Sequence, residues 1–136
     1  MIPVDQIYFG DGRDGTTPGD CFRCCVASIM ELPRERVPHF LAIGDPSEDD
    51  AWESAFIDFL AAYDLWPVTL DVGACTEADL TPVGYHIIGG MGPRGFPHAV
   101  VGLNGQMVHD PHPGRDGLDV EETWTVFASR MTEGVK

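Results

Sequence analysis

At Asp64 the apolar pattern of the chain changes period, and few folds accommodate that change. Upstream of it, Trp52, Ala55, Phe56, Phe59, Leu60 and Tyr63 recur at i, i+3, i+4 and i+7 spacing, which predicts a helix with one core-facing stripe. Ser47 and Asp50 stand where a capping box would start this helix, with Asp in place of the usual Glu. An earlier helix is predicted over 21–32, with Phe22, Cys25, Val26, Ile29 and Met30 at helical spacing. Asp20 is a good N-cap residue, Pro18-Gly19 marks the turn before it, and Pro33 stops the helix. Downstream of Asp64, residues 67–72, 84–89, 98–103, 106–110 and 123–129 read as strands. The Gly- and Asp-rich opening reads as a loop after a short strand at 4–9. Helices first and antiparallel strands afterwards make an α+β fold, with N-terminal helices packed on a C-terminal sheet. With 136 residues, a single domain spanning 1–136 is expected.

Twenty-two acidic against eight basic residues give a formal charge of −14. Such a chain repels a phosphate backbone and an anionic lipid surface, so neither nucleic acid nor membrane is an expected partner. A cationic peptide or basic protein would be steered toward it, although acidity serves solubility first. No apolar stretch nears the roughly 20 residues needed to span a bilayer. Residues 1–6 lack the basic start and apolar run of a signal peptide, so a cytoplasmic protein is expected. Sequence says nothing of oligomeric state.

Of the four cysteines, Cys21, Cys24 and Cys25 lie within five residues, and Cys75 stands apart. That spacing is poor for a disulfide framework and leaves catalysis, metal binding or burial as the reasons for the thiols. Cys21 opens a predicted helix, where free backbone N–H groups and the positive dipole end favour a thiolate and can serve an oxyanion. Cys25 belongs to the apolar stripe, and Cys24 points about 100° round the helix from it. Taken by itself, Cys21 reads as a small buried side chain. The second half of the chain changes that reading.

A thiol nucleophile needs an imidazole and a group that fixes the imidazole's tautomer. His98 begins one strand and Asp110 ends the next, on either side of Asn104-Gly105. If Asn104-Gly105 were a two-residue turn, Leu103 would pair with Gln106 and Asp110 would face away from His98. A three-residue loop, Leu103-Asn104-Gly105, pairs Gly102 with Gln106 and puts His98 directly across from Asp110. The carboxylate would then accept from Nδ1 and leave Nε2 for the thiol. A His98–Asp110 pair therefore predicts the three-residue loop.

Gly19-Asp20-Cys21-Phe22 opening a helix, then His98-Ala-Val-Val, then Asp110-Pro111 resembles the papain-like cysteine peptidases. The nearest branch is the leader-processing (double-glycine) peptidases and their small bacterial and phage relatives. The resemblance implies a papain-like fold and hydrolysis of an amide bond in a peptide or protein. It makes Cys21 the nucleophile, His98 the base and Asp110 the orienting residue, with no cofactor. Relatives carry a Gln several residues before the nucleophile as an oxyanion donor. Here Gln6 is the candidate, fifteen positions upstream, and Phe22 replaces the common Gly after the cysteine.

Among the remaining residues, His109 is expected to face away from His98. His112 lies in a loop near the site. His39 shows no partner signal, and His86 reads as a satisfied core histidine. Trp124 reads as core filling or as a shield over His98 and Asp110, and the glycine run 89–95 as a loop lining the cleft. Three alternatives stay open: a zinc site built from Cys21, Cys24 and Cys25 with Cys75 or His98, a catalytically silent binding module, and acyl transfer through the same triad.

Overall fold

A computed structural model describes residues 1–12, 17–43, 51–72 and 81–129. It is an α+β arrangement. Helix α1 (Cys21–Met30) comes first, followed by two single 3₁₀ turns at Arg34–Arg36 and Phe40–Ala42, then helix α2 (Ala51–Ala61). Strands β1 (Leu65–Asp71), β2 (Tyr85–Met91), β3 (Pro97–Leu103), β4 (Gln106–His109) and β5 (Val120–Ser129) form one antiparallel sheet in the order β1-β5-β2-β3-β4. Among the described residues no helix is long and apolar enough to cross a membrane.

The alternation expected of strands divides the sheet's two faces. Ile87, Ala99 and Val101 pack with Cys25, Val26, Phe40, Phe56 and Leu60 in a core between helices and sheet. Their sequence neighbours Ile88 and Val100 join Trp124 in a smaller cluster on the other face. Phe22 joins the two helices through edge-on contacts to Trp52 and Phe56, at centroid distances of 5.4 and 4.9 Å. The α2 stripe is as the spacing predicted except at Tyr63, which lies past the helix end and is exposed, touching only the Phe59 ring among the aromatics. The Ser47–Asp50 capping box falls outside the described residues.

Several local expectations are corrected. Helix α1 ends at Met30 rather than at Pro33. Glu31 takes a left-handed conformation (φ 57°), and the N–H groups of Glu31 and Leu32 both close on the Ala27 carbonyl. Asp20 gives no capping hydrogen bond to α1. Residues 4–9 form no strand, because their donors go to separate partners rather than to a neighbouring strand. Val4 N–H donates to Ser28 Oγ (2.9 Å), Gln6 N–H to the Pro111 carbonyl (3.1 Å), and Ile7 and Tyr8 N–H to Asp20 Oδ1 (3.0 and 3.1 Å).

The β3–β4 hairpin departs most instructively. Leu103 pairs with Gln106, so the turn is the two-residue Asn104-Gly105 type, both residues left-handed (φ 52° and 87°), and not the three-residue loop. The register then shifts: Gly102 faces Met107, but Val101 faces His109. Val108 is the extra residue of a β-bulge, and it reverses the parity of everything after it. Continued, that register sets Asp110 beside Val100, a diagonal neighbour of His98 rather than its direct partner. Diagonal pairs on a sheet lie within reach of a ring and a carboxylate.

Close approach of strands at the bulged β2–β5 pairing generates a stability test. A methyl group added at Gly90, opposite His98, would run into the Val120 carbonyl, whereas one at Gly89 would meet only the Thr123 hydroxyl at 2.8 Å. Backbone yields less readily than a side chain. Gly90→Ala should therefore lower unfolding free energy by about 3 kcal/mol and Gly89→Ala by about 1 kcal/mol, measured by urea denaturation.

Candidate active site

Four side chains from separate parts of the chain meet at one end of the sheet. Cys21 is the first residue of α1, His98 the second of β3, Asp110 follows β4 directly, and Gln6 comes from the N-terminal segment. His98 Nε2 donates to Asp110 Oδ1 at 2.7 Å in a buried setting, and the ring and Cys21 line the same cleft. With Nε2 committed to the carboxylate, Nδ1 is the nitrogen left for the sulfur. That is the reverse of the tautomer expected from a direct cross-strand pair, and the diagonal placement of Asp110 accounts for it.

Asp110 is 2 % exposed, so its carboxylate depends on protein donors. Besides His98, the backbone N–H of His112 (2.9 Å) reaches Oδ1 and that of Gly117 (2.8 Å) reaches Oδ2. Burial alone would raise this acid, but the His98 ring and the two N–H groups outweigh it and hold it down to about 2. For His98, burial works against the charged ring, and the hydrogen bonds to Asp110 and Cys21 overcome that to raise it to about 9. Near neutral pH the ring therefore carries protons on both nitrogens.

Gln6 reaches this place by docking of the N-terminal segment. Gly19 N–H donates to the Gly10 carbonyl (3.0 Å) and Asp20 N–H to that of Tyr8 (3.3 Å), folding residues 6–10 against the start of α1. The Gln6 amide donates from Nε2 to the Tyr8 carbonyl (2.8 Å), while its buried Oε1 has no partner among the described residues. Gly19 lies so close that a Cβ there would be 3.5 Å from Gln6 Nε2. An amide nitrogen has two hydrogens, so the Tyr8 carbonyl takes up only one of them, and Gln6 lines the same lobe as Cys21.

The site opens on a cleft of two lobes, which share Cys21, Leu41, Pro97 and His98. One lobe, about 340 Å³, is lined by Gln6, Phe9, Gly19, Arg94, Phe96 and His112. The other, about 440 Å³, runs past Phe22 and Trp52 over Ile87 and carries Glu53 and Glu122. Cys21 retains 8 % exposure at the junction, whereas Cys24 and Cys25 are sealed at 0 %. Burial and the neighbouring Asp20 charge push the Cys24 thiol up to about 12, and burial pushes the Cys25 thiol well up.

No family model, curated protein or solved structure matches this chain. What can be said of the site comes from its own geometry.

Other residues fall out as follows. His109 is turned from His98, its Nε2 bonded to the Val4 carbonyl (3.0 Å). His112 sits edge-on to His98 at 6.4 Å and lines the cleft. His39 has partners that its sequence context did not signal, the Pro18 carbonyl (2.8 Å) and the stacked Tyr8 ring. His86 is only half satisfied: Nδ1 bonds the Gly84 carbonyl, and buried Nε2 has no partner. Trp124 belongs to the far-face cluster with Ile88 and Val100 and lines neither lobe. Of the glycine run, Gly89 and Gly90 belong to β2, and the stretch around Arg94 and Phe96 borders the cleft. Among the described residues no group of three His, Cys, Asp or Glu side chains converges as a metal cage; Cys75 lies outside them. Sequence reasoning missed the Arg115 clamp, which donates to both Asp5 oxygens (2.7 and 2.9 Å) and to the Asp110 carbonyl. Nothing in the spacing of Asp5 and Arg115 signals it.

Because His98 is raised from 6.5 to about 9, the folded state favours its charged form, and the stabilisation is complete below about pH 6.5 and lost as pH rises through 9. Asp110, held low, contributes above about pH 4 and loses its contribution as pH falls through 2. Unfolding free energy should thus drop by something on the order of 3 kcal/mol between pH 6.5 and 9. In Asp110→Asn that decline should largely vanish; urea melts at four pH values, giving parallel slopes for both proteins, would contradict the pairing.

Proposed function

We propose that this chain is a cysteine hydrolase of papain-like type that cleaves an amide bond in a peptide or protein through Cys21, His98 and Asp110. One observation carries the reading: Cys21 and His98, whose Nε2 is hydrogen-bonded to the buried Asp110, stand together at the junction of an open, two-lobed cleft. A merely structural cysteine has no need of a charged imidazole beside it. The free thiols suit a reducing cytoplasm.

In this mechanism the Cys21 sulfur, its proton held on His98 Nδ1, attacks the carbonyl carbon and forms a C–S bond. The developing oxyanion accepts from the Cys21 backbone N–H at the start of α1 and from the free hydrogen of Gln6 Nε2. As the C–N bond breaks, His98 Nδ1 gives its proton to the departing amine. A water then loses a proton to Nδ1 and attacks the thioester, and the C–S bond breaks to release the acid and the thiolate. Asp110 keeps the ring oriented and charge-compensated throughout.

Iodoacetamide should alkylate Cys21 in preference to the sealed Cys24 and Cys25, and His98→Ala should slow that reaction about tenfold or more, read by mass spectrometry of the labelled peptide. Against a mixed peptide library, Cys21→Ala should abolish cleavage, and Gln6→Ala should lower kcat by about 10²-fold with KM nearly unchanged. Cys25→Ala should retain cleavage and lose stability. Equal loss of activity from Cys21→Ala and Cys25→Ala, both folded, would remove Cys21 as the nucleophile.

A further inference from the structure

The two lobes differ in chemistry. The Gln6 lobe mixes signs: Arg94 lies 3.7 Å from Asp116, and His112 lines the wall. The Phe22 lobe holds two acids, Glu53 from α2 and Glu122 from β5, and among the described residues its only basic group is His98, already compensated by Asp110. Glu53 and Glu122 are exposed, and among the described residues neither has a hydrogen-bond or ion-pair partner. Two of the lobe's threonines answer one another, Thr69 Oγ1 and Thr125 Oγ1 lying 3.0 Å apart. Beneath them Phe22, Trp52, Ile87 and Ala99 provide an apolar floor.

From this combination we infer that the Phe22 lobe binds a lysine or arginine side chain of the substrate, next to the bond that is cut. The inference rests on the hydrolase reading for the presence of a peptide, while the lobe's selectivity follows from its own lining. A long basic side chain lays its methylene stem on an apolar floor and keeps its charge at a polar rim. Trp52 adds an aromatic ring to which a cation is attracted. A carboxylate in the same place would meet two like charges, and a purely aliphatic side chain would leave both acids unanswered. The formal charge of −14 draws cations to the whole surface, but only the two local carboxylates can make one position of the peptide selective.

The test uses the full-length Cys21→Ala protein, which cannot turn over, and three blocked pentapeptides, acetyl-Ala-Ala-Xaa-Ala-Ala-amide, with Xaa as lysine, norleucine or glutamate. Titrations at about 0.15 M salt are followed by ¹H–¹⁵N NMR, including the Trp52 indole N–H. The lysine peptide should bind about tenfold tighter than the glutamate peptide and shift the Trp52 signal, and Glu53→Gln with Glu122→Gln should bring the ratio below about twofold. Equal affinities, no binding, or a lysine preference that survives the double substitution (general attraction to the remaining acids) would overturn the assignment. Iodoacetamide labelling of the wild-type protein reports on the hydrolase reading separately. A reactive Cys21 without lysine preference sinks the lobe assignment alone. Lysine-selective binding with an inert Cys21 sinks the hydrolase reading alone.

Discussion

A carboxylate withdrawn from water must have its lone pairs filled by the protein, and the buried Asp110 imposes that condition on everything around it. Its donors come from three directions: the His98 ring on β3 and the backbone N–H groups of His112 and Gly117 in the following loop. To bring both N–H groups inward within seven residues, the loop takes left-handed conformations at Arg115 (φ 55°) and Gly117 (φ 74°). The turn at Arg115 also carries its guanidinium back over the Asp110 carbonyl and onto Asp5. Asp5 precedes Gln6, whose own N–H is held by the Pro111 carbonyl. One desolvated anion thus fixes the His98 ring, the loop behind it and the N-terminal segment that carries Gln6.

Asp20 plays the matching part on the other side of the cleft. Its side chain is also fully buried, and it turns away from α1 to accept from Ile7 and Tyr8 N–H through Oδ1. Oδ2 has no hydrogen bond and lies 3.8 Å from Arg23 Nη1, close enough for charge compensation. Because the Asp20 side chain does not cap the helix, its carboxylate consumes none of the first-turn N–H groups of α1, where Cys21 begins. An acidic residue buried this close to the cleft is costly on charge alone. Its use as an anchor for residues 7 and 8, with Arg23 nearby, explains why it is tolerated.

Legibility of the sequence followed the reach of its signals. Periodicity is a local property: the α2 stripe, the two helices before the strands and all five sheet strands could be read from spacing, with ends displaced by a few residues. Pairing of Cys21, His98 and Asp110 was readable because residue type and predicted element ends coincided. The route to that pairing was not. Asn104-Gly105 indicates its two-residue turn plainly, and the three-residue alternative was preferred only because it seemed the sole way to restore parity. The bulge at Val108 restores parity without touching the turn, and a single valine among Met107, Val108 and His109 gives no sign that it is unpaired. Asp20 was misread for a related reason. Side-chain type qualifies an Asp as an N-cap, but whether it caps depends on competing donors, here two N–H groups twelve and thirteen residues away. Gln6 lay too far upstream for any local rule to bring it near Cys21.

The three clustered thiols show how a fold assigns different chemistry to one residue type within about one helical turn. Cys25 projects into the core between α1 and the sheet, and Cys24 is shut in beside Asp20; both are driven toward the neutral thiol by lost hydration. Cys21 differs in two respects that come from its position alone. As the first residue of α1 it lies where the helix emerges at the sheet end, so both lobes of the cleft reach it. It also meets the one ring whose charge is balanced by a buried carboxylate. Remove the helix start and Cys21 becomes another core thiol; remove Asp110 and His98 is an uncompensated imidazole under a desolvation penalty. What sets Cys21 apart from its neighbours belongs to the helix start and the buried ion pair taken together, and to neither of them alone.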